Sequence, residues 1–110
     1  MAVIATKTNF AETSQGTMTL IDFWAPWCAP CKMMEPVLDQ LEQGYGQQIK
    51  FVKFNVDEDQ EIAMKYKVMS IPSLVLFKDG VAKEKVTGVY PKDKLDKYLA
   101  KKLNDFHLIN

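Results

Sequence analysis

The sequence has 110 residues, of which 47% are hydrophobic, and its 14 basic and 14 acidic side chains give a formal net charge of zero. This length suits a single domain over residues 1–110 with one hydrophobic core, since two half-length domains would each bury too little surface. The balanced charge provides no basic surface for nucleic acid or for an acidic membrane, so we expect a protein that binds neither.

The first half of the chain predicts a βαβ unit. A weak strand at residues 2–5 and a short helix at 10–14 precede a strand at 17–24, which is rich in β-branched and aromatic side chains. Residues 30–45 carry apolar side chains at helical spacing, and residues 49–56 form the next strand. A strand, a helix and a strand of this length form a crossover connection, which implies parallel pairing of the two strands.

The second half predicts a helix, a hairpin and a final helix. Residues 60–66 follow an acidic run and favour a short helix, and the strands at 73–78 and 81–86 flank an Asp-Gly turn. The last apolar stripe, which follows Pro91, consists of Leu95, Leu99, Leu103 and Phe106. The predicted order is βαβαβαββα, an α/β fold whose mixed sheet of about five strands is flanked on both faces by about four helices.

Two cysteines, Cys28 and Cys31, lie between a predicted strand and a predicted helix. A disulfide across so short a segment adds little stability, which indicates a chemical role. With Pro30 in the first turn, both sulfurs lie at a helix N-terminus, where unpaired N–H groups and the helix dipole favour a thiolate. We therefore expect Cys28 to be the more exposed sulfur, with a lowered thiol pKa, and to act as nucleophile; Cys31 is then the resolving cysteine.

Other uses of the cysteine pair remain open at this point. A zinc site would need ligands from a second chain, because the single histidine, His107, is near the C-terminus, and we expect neither a metal nor a catalytic role for it. Attachment of haem would need a histidine directly after the second cysteine, where Lys32 stands. Two inert buried thiols are the third alternative, which Trp27 and Pro30 oppose because they place the segment at a turn.

Several segments resemble the bacterial-type, single-domain thioredoxin family. Residues 21–33 (IDFWAPWCAPCKM) resemble its active-site segment, residues 70–74 (SIPSL) its cis-proline loop, and residues 86–88 (VTG) the glycine segment beside the site. The match spans nearly the whole chain, in order. One departure is the dipeptide Ala29-Pro30 where the family commonly has Gly-Pro, and it leaves the redox potential open.

The resemblance implies a thioredoxin fold and a thiol–disulfide oxidoreductase. The protein would be a protein-disulfide reductase and electron carrier, in which Cys28 and Cys31 cycle between dithiol and disulfide to maintain redox homeostasis. It implies no cofactor, because a thioredoxin reductase supplies the electrons, and proteins that contain disulfides are the clients. The alternatives are an accessory subunit that binds a partner without redox chemistry and a disulfide oxidase, which would usually carry an export signal.

The expected location is the cytoplasm, and we expect a monomer. The first residues, MAVIAT, lack the cationic start, long apolar stretch and cleavage site of a signal peptide. The longest apolar runs, such as residues 74–77, are far shorter than the roughly 20 residues that a membrane helix needs.

Two charged residues interrupt predicted strands. Asp22 lies within an apolar run where an unpaired carboxylate is costly, and the resemblance implies a buried acid with a raised pKa that takes the proton of Cys31. A position at a sheet edge or facing solvent is the alternative for Asp22. Lys53 matches a family lysine near that carboxylate, which it would tune, and a surface-facing lysine is the alternative.

The resemblance also implies a groove for target proteins. A cis bond before Pro72 would turn the Ile71 backbone toward Cys28, where it could pair with an extended target strand. We expect Trp24 to pack in the core under the site and Ala29 to have a negative φ, since only a left-handed backbone would favour glycine there. The expected motif and groove positions are Trp27, Ala29, Pro30, Ile71, Pro72 and Gly88. The methionines expected to fill gaps in the core rather than bind a ligand include Met33, Met34 and Met64.

Overall fold

The computed structural model describes residues 2–106, so the expectation about His107 lies outside the described residues. The elements in chain order are β1 (Val3–Ala5), α1 (Phe10–Thr13), β2 (Met18–Trp24), α2 (Ala29–Tyr45), β3 (Lys50–Asn55), α3 (Gln60–Lys65), β4 (Ser73–Lys78), β5 (Val81–Thr87) and α4 (Lys92–Asp105). This order confirms the predicted βαβαβαββα arrangement. Within residues 2–106, no helix combines the length and the apolarity that are needed to cross a bilayer.

The strands form one mixed sheet in the order β1-β3-β2-β4-β5. Strands β1, β3 and β2 are parallel, as the βαβ pattern predicts, while β4 runs antiparallel to β2 and forms a hairpin with β5. Strand β2 is therefore central. Its carboxyl end leads into the loop that carries the first cysteine, which places the cysteine pair at the end of the best-supported strand of the sheet.

The alternation of side chains along β2 divides the core between the two faces of the sheet. Met18 and Leu20 face α2 and α4, where they pack against Met34, Leu38, Leu41, Leu95, Leu99 and Leu103. Ile21 and Phe23 face the opposite side, where they pack against Phe10 of α1, Ala63 of α3 and the strand residues Val52, Phe54, Val75 and Phe77. Helices thus cover both faces, and Asp22 points toward the side of α2.

Candidate active site

The two cysteines form a disulfide at the first turn of α2. Cys28 is the N-cap residue, with an extended backbone (φ −92°, ψ 104°), and its sulfur accepts the backbone N–H of Cys31 at 3.2 Å. Their Cα atoms are 5.3 Å apart, which is within the usual range for a disulfide. Pro30 fits this turn because a helix does not use the N–H groups of its first turn. The N–H of Cys31 would also stabilise a thiolate on Cys28 after reduction.

The expectation that Cys28 is partly exposed is wrong. Its exposed fraction is 4%, close to the 1% of Cys31, so both sulfurs are buried. The reason is packing at the end of β2, where Ala25 forms a small cluster with the two cysteines, and Val56 and Ile71 pack against that cluster. Exposure therefore does not distinguish the two sulfurs. What distinguishes them is that the Cys28 Sγ accepts the backbone N–H of Cys31.

The loop before β4 brings its backbone to the disulfide. The Ile71–Pro72 peptide bond is cis, as the resemblance implies, and the Ile71 carbonyl oxygen lies 3.8 Å from the Cys28 Sγ. Gly88, just after β5, has a φ of +106°, a conformation that favours glycine, and its N–H donates to the Pro72 carbonyl at 2.9 Å. The Ile71 backbone thus lies beside the Cys28 sulfur, and Gly88 binds the neighbouring Pro72.

A groove of about 440 Å³ adjoins this loop. Its lining is mostly apolar and includes Trp27, Val56, Met64, Met69 and Ile71. Trp27 is 70% exposed, which confirms its predicted place in an exposed loop, and its Nε1 donates to the Asp57 Oδ2 at 3.1 Å. The sequence analysis missed Asp57, because its partner is 30 residues away and its acidic run indicated only a helix start.

The methionines fall into two groups, and the gap-filling expectation holds for only one of them. Met34 is fully buried in the core beside α2. Met33 and Met64 are 62% and 70% exposed, so that expectation is wrong for both. Neighbouring helix positions point in different directions, and burial of Met34 on α2 and Ala63 on α3 turns the adjacent methionines outward.

Asp22 lies at the centre of the sheet, where its register neighbours are Lys53 on β3 and Leu74 on β4. Its exposed fraction is 4%, and its Oδ1 has no hydrogen-bond partner among the described residues. Burial raises the pKa of Asp22 from 3.8 to about 7; the charge of Lys53 lowers this pKa and that of Glu35 raises it. The edge and solvent-facing alternatives are excluded, and the carboxyl group exchanges its proton near neutral pH.

Lys53 forms its ion pair with Glu35 rather than with Asp22. Its Nζ lies 3.7 Å from the Glu35 Oε1 and 4.4 Å from the centroid of the Trp24 ring, and Trp24 packs against the cysteine cluster. Lys53 therefore acts on Asp22 by its charge without a direct ion pair. Glu35 was not among the expected site residues, although its spacing of four from Cys31 on a predicted helix was an available signal.

The carboxyl group and the disulfide are separated within the site. Asp22, Glu35 and Lys53 line a cavity of about 70 Å³, which is large enough to hold a water molecule, but neither cysteine lines it. The cavity reaches the turn of α2 that directly follows Cys31, because Glu35 is four residues further along that helix. Within residues 2–106, no group of three histidine, cysteine or acidic side chains is arranged to hold a metal ion.

The sequence of this chain is similar to those of known proteins of one family. Residues 1–101 match the family model described as thioredoxin. The chain is 52% identical to the thioredoxin of Bacillus subtilis over 105 residues, which cover 94% of this chain and all of that protein. It is 46% identical to the thioredoxin of Staphylococcus haemolyticus over 104 residues, with the same two coverages.

A solved structure agrees with this result. A mutant thioredoxin from Halobacterium salinarum superimposes with a TM-score of 0.80 at 34% sequence identity, covering 91% of this chain and 88% of that one. The chain therefore belongs to the thioredoxin family and has the thioredoxin fold. It is a thiol–disulfide oxidoreductase whose Cys28–Cys31 pair performs dithiol–disulfide exchange.

Proposed function

We propose that this thioredoxin-family protein reduces disulfides in client proteins, with Cys28 as nucleophile and Cys31 as resolving cysteine. The observation that supports this assignment of the two sulfurs is the N–H of Cys31, which points at the Cys28 Sγ from 3.2 Å and favours a thiolate on Cys28 once the disulfide is reduced. A thiolate held in this way is a ready nucleophile and leaving group for exchange.

The reaction has two steps that conserve atoms and electrons. The Cys28 thiolate attacks one sulfur of the client disulfide, whose S–S bond breaks, and the released client thiolate takes up a proton. Cys31 then loses its proton and attacks the Cys28 Sγ, which expels the second client sulfur as a thiolate. The client gains two electrons, and the Cys28–Cys31 disulfide described here is the oxidised product.

Asp22 is the proposed acceptor of the Cys31 proton, and Lys53 tunes it. A carboxyl group with a pKa of about 7 suits this task, because it is partly ionised at neutral pH and can also return the proton. The cavity between Asp22 and the turn after Cys31 has room for a water that would relay the proton. Ala29 and Pro30 set the start of α2 and so the separation of the two sulfurs.

The groove beside Ile71 is the proposed client site. An extended client segment would pair with the Ile71 backbone next to Cys28 and would lay apolar side chains against Trp27 and Met69. Pro72 and Gly88 hold that backbone in place through the Gly88 N–H. We further propose that the protein works as a cytoplasmic monomer without a bound cofactor and that a thioredoxin reductase reduces it.

Trapping of clients tests the roles of the two cysteines. The variant Cys31→Ser should accumulate mixed disulfides with proteins of a cell extract, whereas the matched variant Cys28→Ser should accumulate very few, as read by gel electrophoresis without and with dithiothreitol. The wild type should accelerate reduction of insulin by dithiothreitol, whereas neither variant should. Equal trapping by the two variants would contradict the assignment, and a strongly oxidising potential against glutathione buffers would favour an oxidase instead.

A further inference from the structure

A second acidic side chain faces the Asp22 cavity from helix α2. Glu35 lines this cavity together with Asp22 and Lys53, and its Oε1 lies 3.7 Å from the Lys53 Nζ. Within residues 2–106, no ion pair connects Lys53 to Asp22 itself. The Lys53 ammonium, which could neutralise Asp22, is thus bound by the Glu35 carboxylate at the mouth of the cavity.

We propose that Glu35 is a positioning residue for the exchange reaction, which holds the Lys53 ammonium at the mouth of the cavity and so keeps Asp22 from pairing with that cation. This inference rests on the proposed role of Asp22 as the acceptor of the Cys31 proton. The influence of Glu35 on the chemistry passes through Lys53 and Asp22 and not through either sulfur.

The surroundings of Lys53 support this arrangement. The centroid of the Trp24 ring lies 4.4 Å from the Lys53 Nζ, and the ring forms a cation–π contact with it. The ammonium is therefore bound by Trp24 and Glu35, and not by Asp22. The Lys53 side chain is 24% exposed and that of Glu35 is 45% exposed, which places the ion pair where the cavity meets solvent. At such a site, a change in the charge of Glu35 reaches the buried Asp22 with less screening than it would across open water.

The position of Glu35 on α2 links it to the dithiol. Glu35 follows Cys31 by four residues in the same helix, so the two side chains lie on one helix face, about one turn apart. The sulfur that must lose its proton and the cavity that contains the proposed acceptor are therefore joined at Glu35. Among the described residues that line the cavity, the charged or titratable side chains outside α2 are Asp22 of β2 and Lys53 of β3.

Two further acidic residues of α2, Asp39 and Glu42, line the same cavity, while β4 contributes only the apolar Leu74. Asp39 makes no ion pair with any residue of the described part of the chain, although it carries the same charge as Glu35. Replacing either Glu35 or Asp39 by its amide removes one negative charge from the same helix. Only the first replacement also releases Lys53, which makes Asp39 a matched control.

The direction of the effect follows from the two charges. Without the carboxylate of Glu35, Lys53 directs its full charge at Asp22, and the repulsion between the two carboxylates disappears. Both changes favour the ionised form of Asp22, so its pKa should fall. Asp22 would then remain ionised to lower pH and would be a weaker base for the Cys31 proton.

The titration of Asp22 tests the inference directly. We would follow the Asp22 carboxyl carbon by NMR in the oxidised protein, for the wild type, Glu35→Gln and Asp39→Asn. The titration midpoint should fall by roughly 0.5–1 pH unit in Glu35→Gln and by less than about 0.2 unit in Asp39→Asn. In a Lys53→Met background, the effect of Glu35→Gln should drop to less than about half, because the cation through which it acts is absent.

The outcomes separate the inference from the proposed function on which it rests. Equal midpoint shifts in Glu35→Gln and Asp39→Asn, or a full Glu35→Gln shift without Lys53, would overturn the positioning role. If the inference and the function both hold, the pH profile of client reduction moves to lower pH by the same amount as the Asp22 midpoint. A shifted midpoint with an unchanged pH profile would support the action of Glu35 on Asp22 and would contradict Asp22 as proton acceptor.

Discussion

Strand β2 faces two different interiors. On the side of α1 and α3, Phe23 belongs to a cluster of aromatic rings whose centroids are 5.1 to 6.3 Å apart, and whose other members are Phe10, Phe54, Tyr66 and Phe77. On the side of α2, one residue along the chain, Asp22 has an Oδ1 without a partner among the described residues and borders a cavity of about 70 Å³. Phe23 and Asp22 are both buried, but only Asp22 titrates near pH 7.

The difference shows how one strand serves stability and chemistry at once. Close-packed rings stabilise the fold through buried apolar area and through tilted and edge-to-face contacts. A buried carboxyl group beside a cavity does the opposite, because its ionised form is poorly solvated there. The alternation of side chains along a strand keeps these two environments on separate faces. A protein of this size can therefore have a destabilising functional group one residue away from a cluster of packed aromatic rings.

The largest expected effect comes from a substitution in the aromatic cluster on the side of α1 and α3. Phe77 is fully buried and its ring is 5.1 Å from that of Tyr66, so Phe77→Ala should lower the free energy of unfolding by about 3–5 kcal/mol. Urea denaturation followed by tryptophan fluorescence measures this loss. The Asp22 midpoint of the folded variant should stay within about 0.3 pH unit of the wild type, since no charge near the cavity changes. A larger shift would show that the two faces are coupled.

The second largest effect comes from Asp22, on the side of the sheet that faces α2, and it raises the free energy of unfolding instead of lowering it. Asp22→Asn keeps the shape of the side chain but removes its ionisation, so the variant should be more stable than the wild type by roughly 1–3 kcal/mol at pH 8. The variant should also reduce clients more slowly near neutral pH, most visibly at release of the mixed disulfide. Lower stability at pH 8 together with unchanged turnover would mean that Asp22 is only a structural partner.

The pH dependence of this gain follows from the raised pKa of Asp22. The folded pKa is about 7 and the ordinary value is 3.8, so the wild-type contribution to stability is complete below about pH 4 and is lost as the pH rises through 7. An asparagine does not titrate in this range. The stability difference between the variant and the wild type should therefore be smallest near pH 4 and grow up to about pH 8, as measured by denaturation at a series of pH values.

The parts of the site that follow from local sequence were predictable. The helix start at Cys28, the burial of Asp22 in a central strand and the exposure of Trp27 depend on short-range spacing and on the alternation of polar and apolar residues. The element order was also predictable, because each strand and helix has a clear period and the Asp-Gly turn fixes the hairpin.

The features that were missed depend on contacts between distant segments. The burial of Cys28 comes partly from Ile71, 43 residues later, and the partner of Lys53 depends on how β3 aligns with α2. Neither arrangement has a local pattern that would reveal it. The exposure of Met33 is different, because it had a local signal: Met34 lies on the apolar stripe of α2, so the preceding position points away from the core.

The smallest expected effect concerns Ala29, the first residue of α2, whose later residues line the Asp22 cavity. Ala29 is exposed and lies in the first turn of α2, so its backbone is right-handed, as the sequence analysis expects, and a glycine there relieves no strain. Ala29→Gly should lower the free energy of unfolding by about 0.4–1 kcal/mol, chiefly because glycine gives the unfolded chain more freedom. This cost should be the same at pH 5 and pH 8, unlike the effect of Asp22→Asn, since no ionisable group is altered. A cost that grows with pH would show that the helix start and Asp22 are energetically coupled, and the separation between packing and proton chemistry would then fail at this end of the sheet.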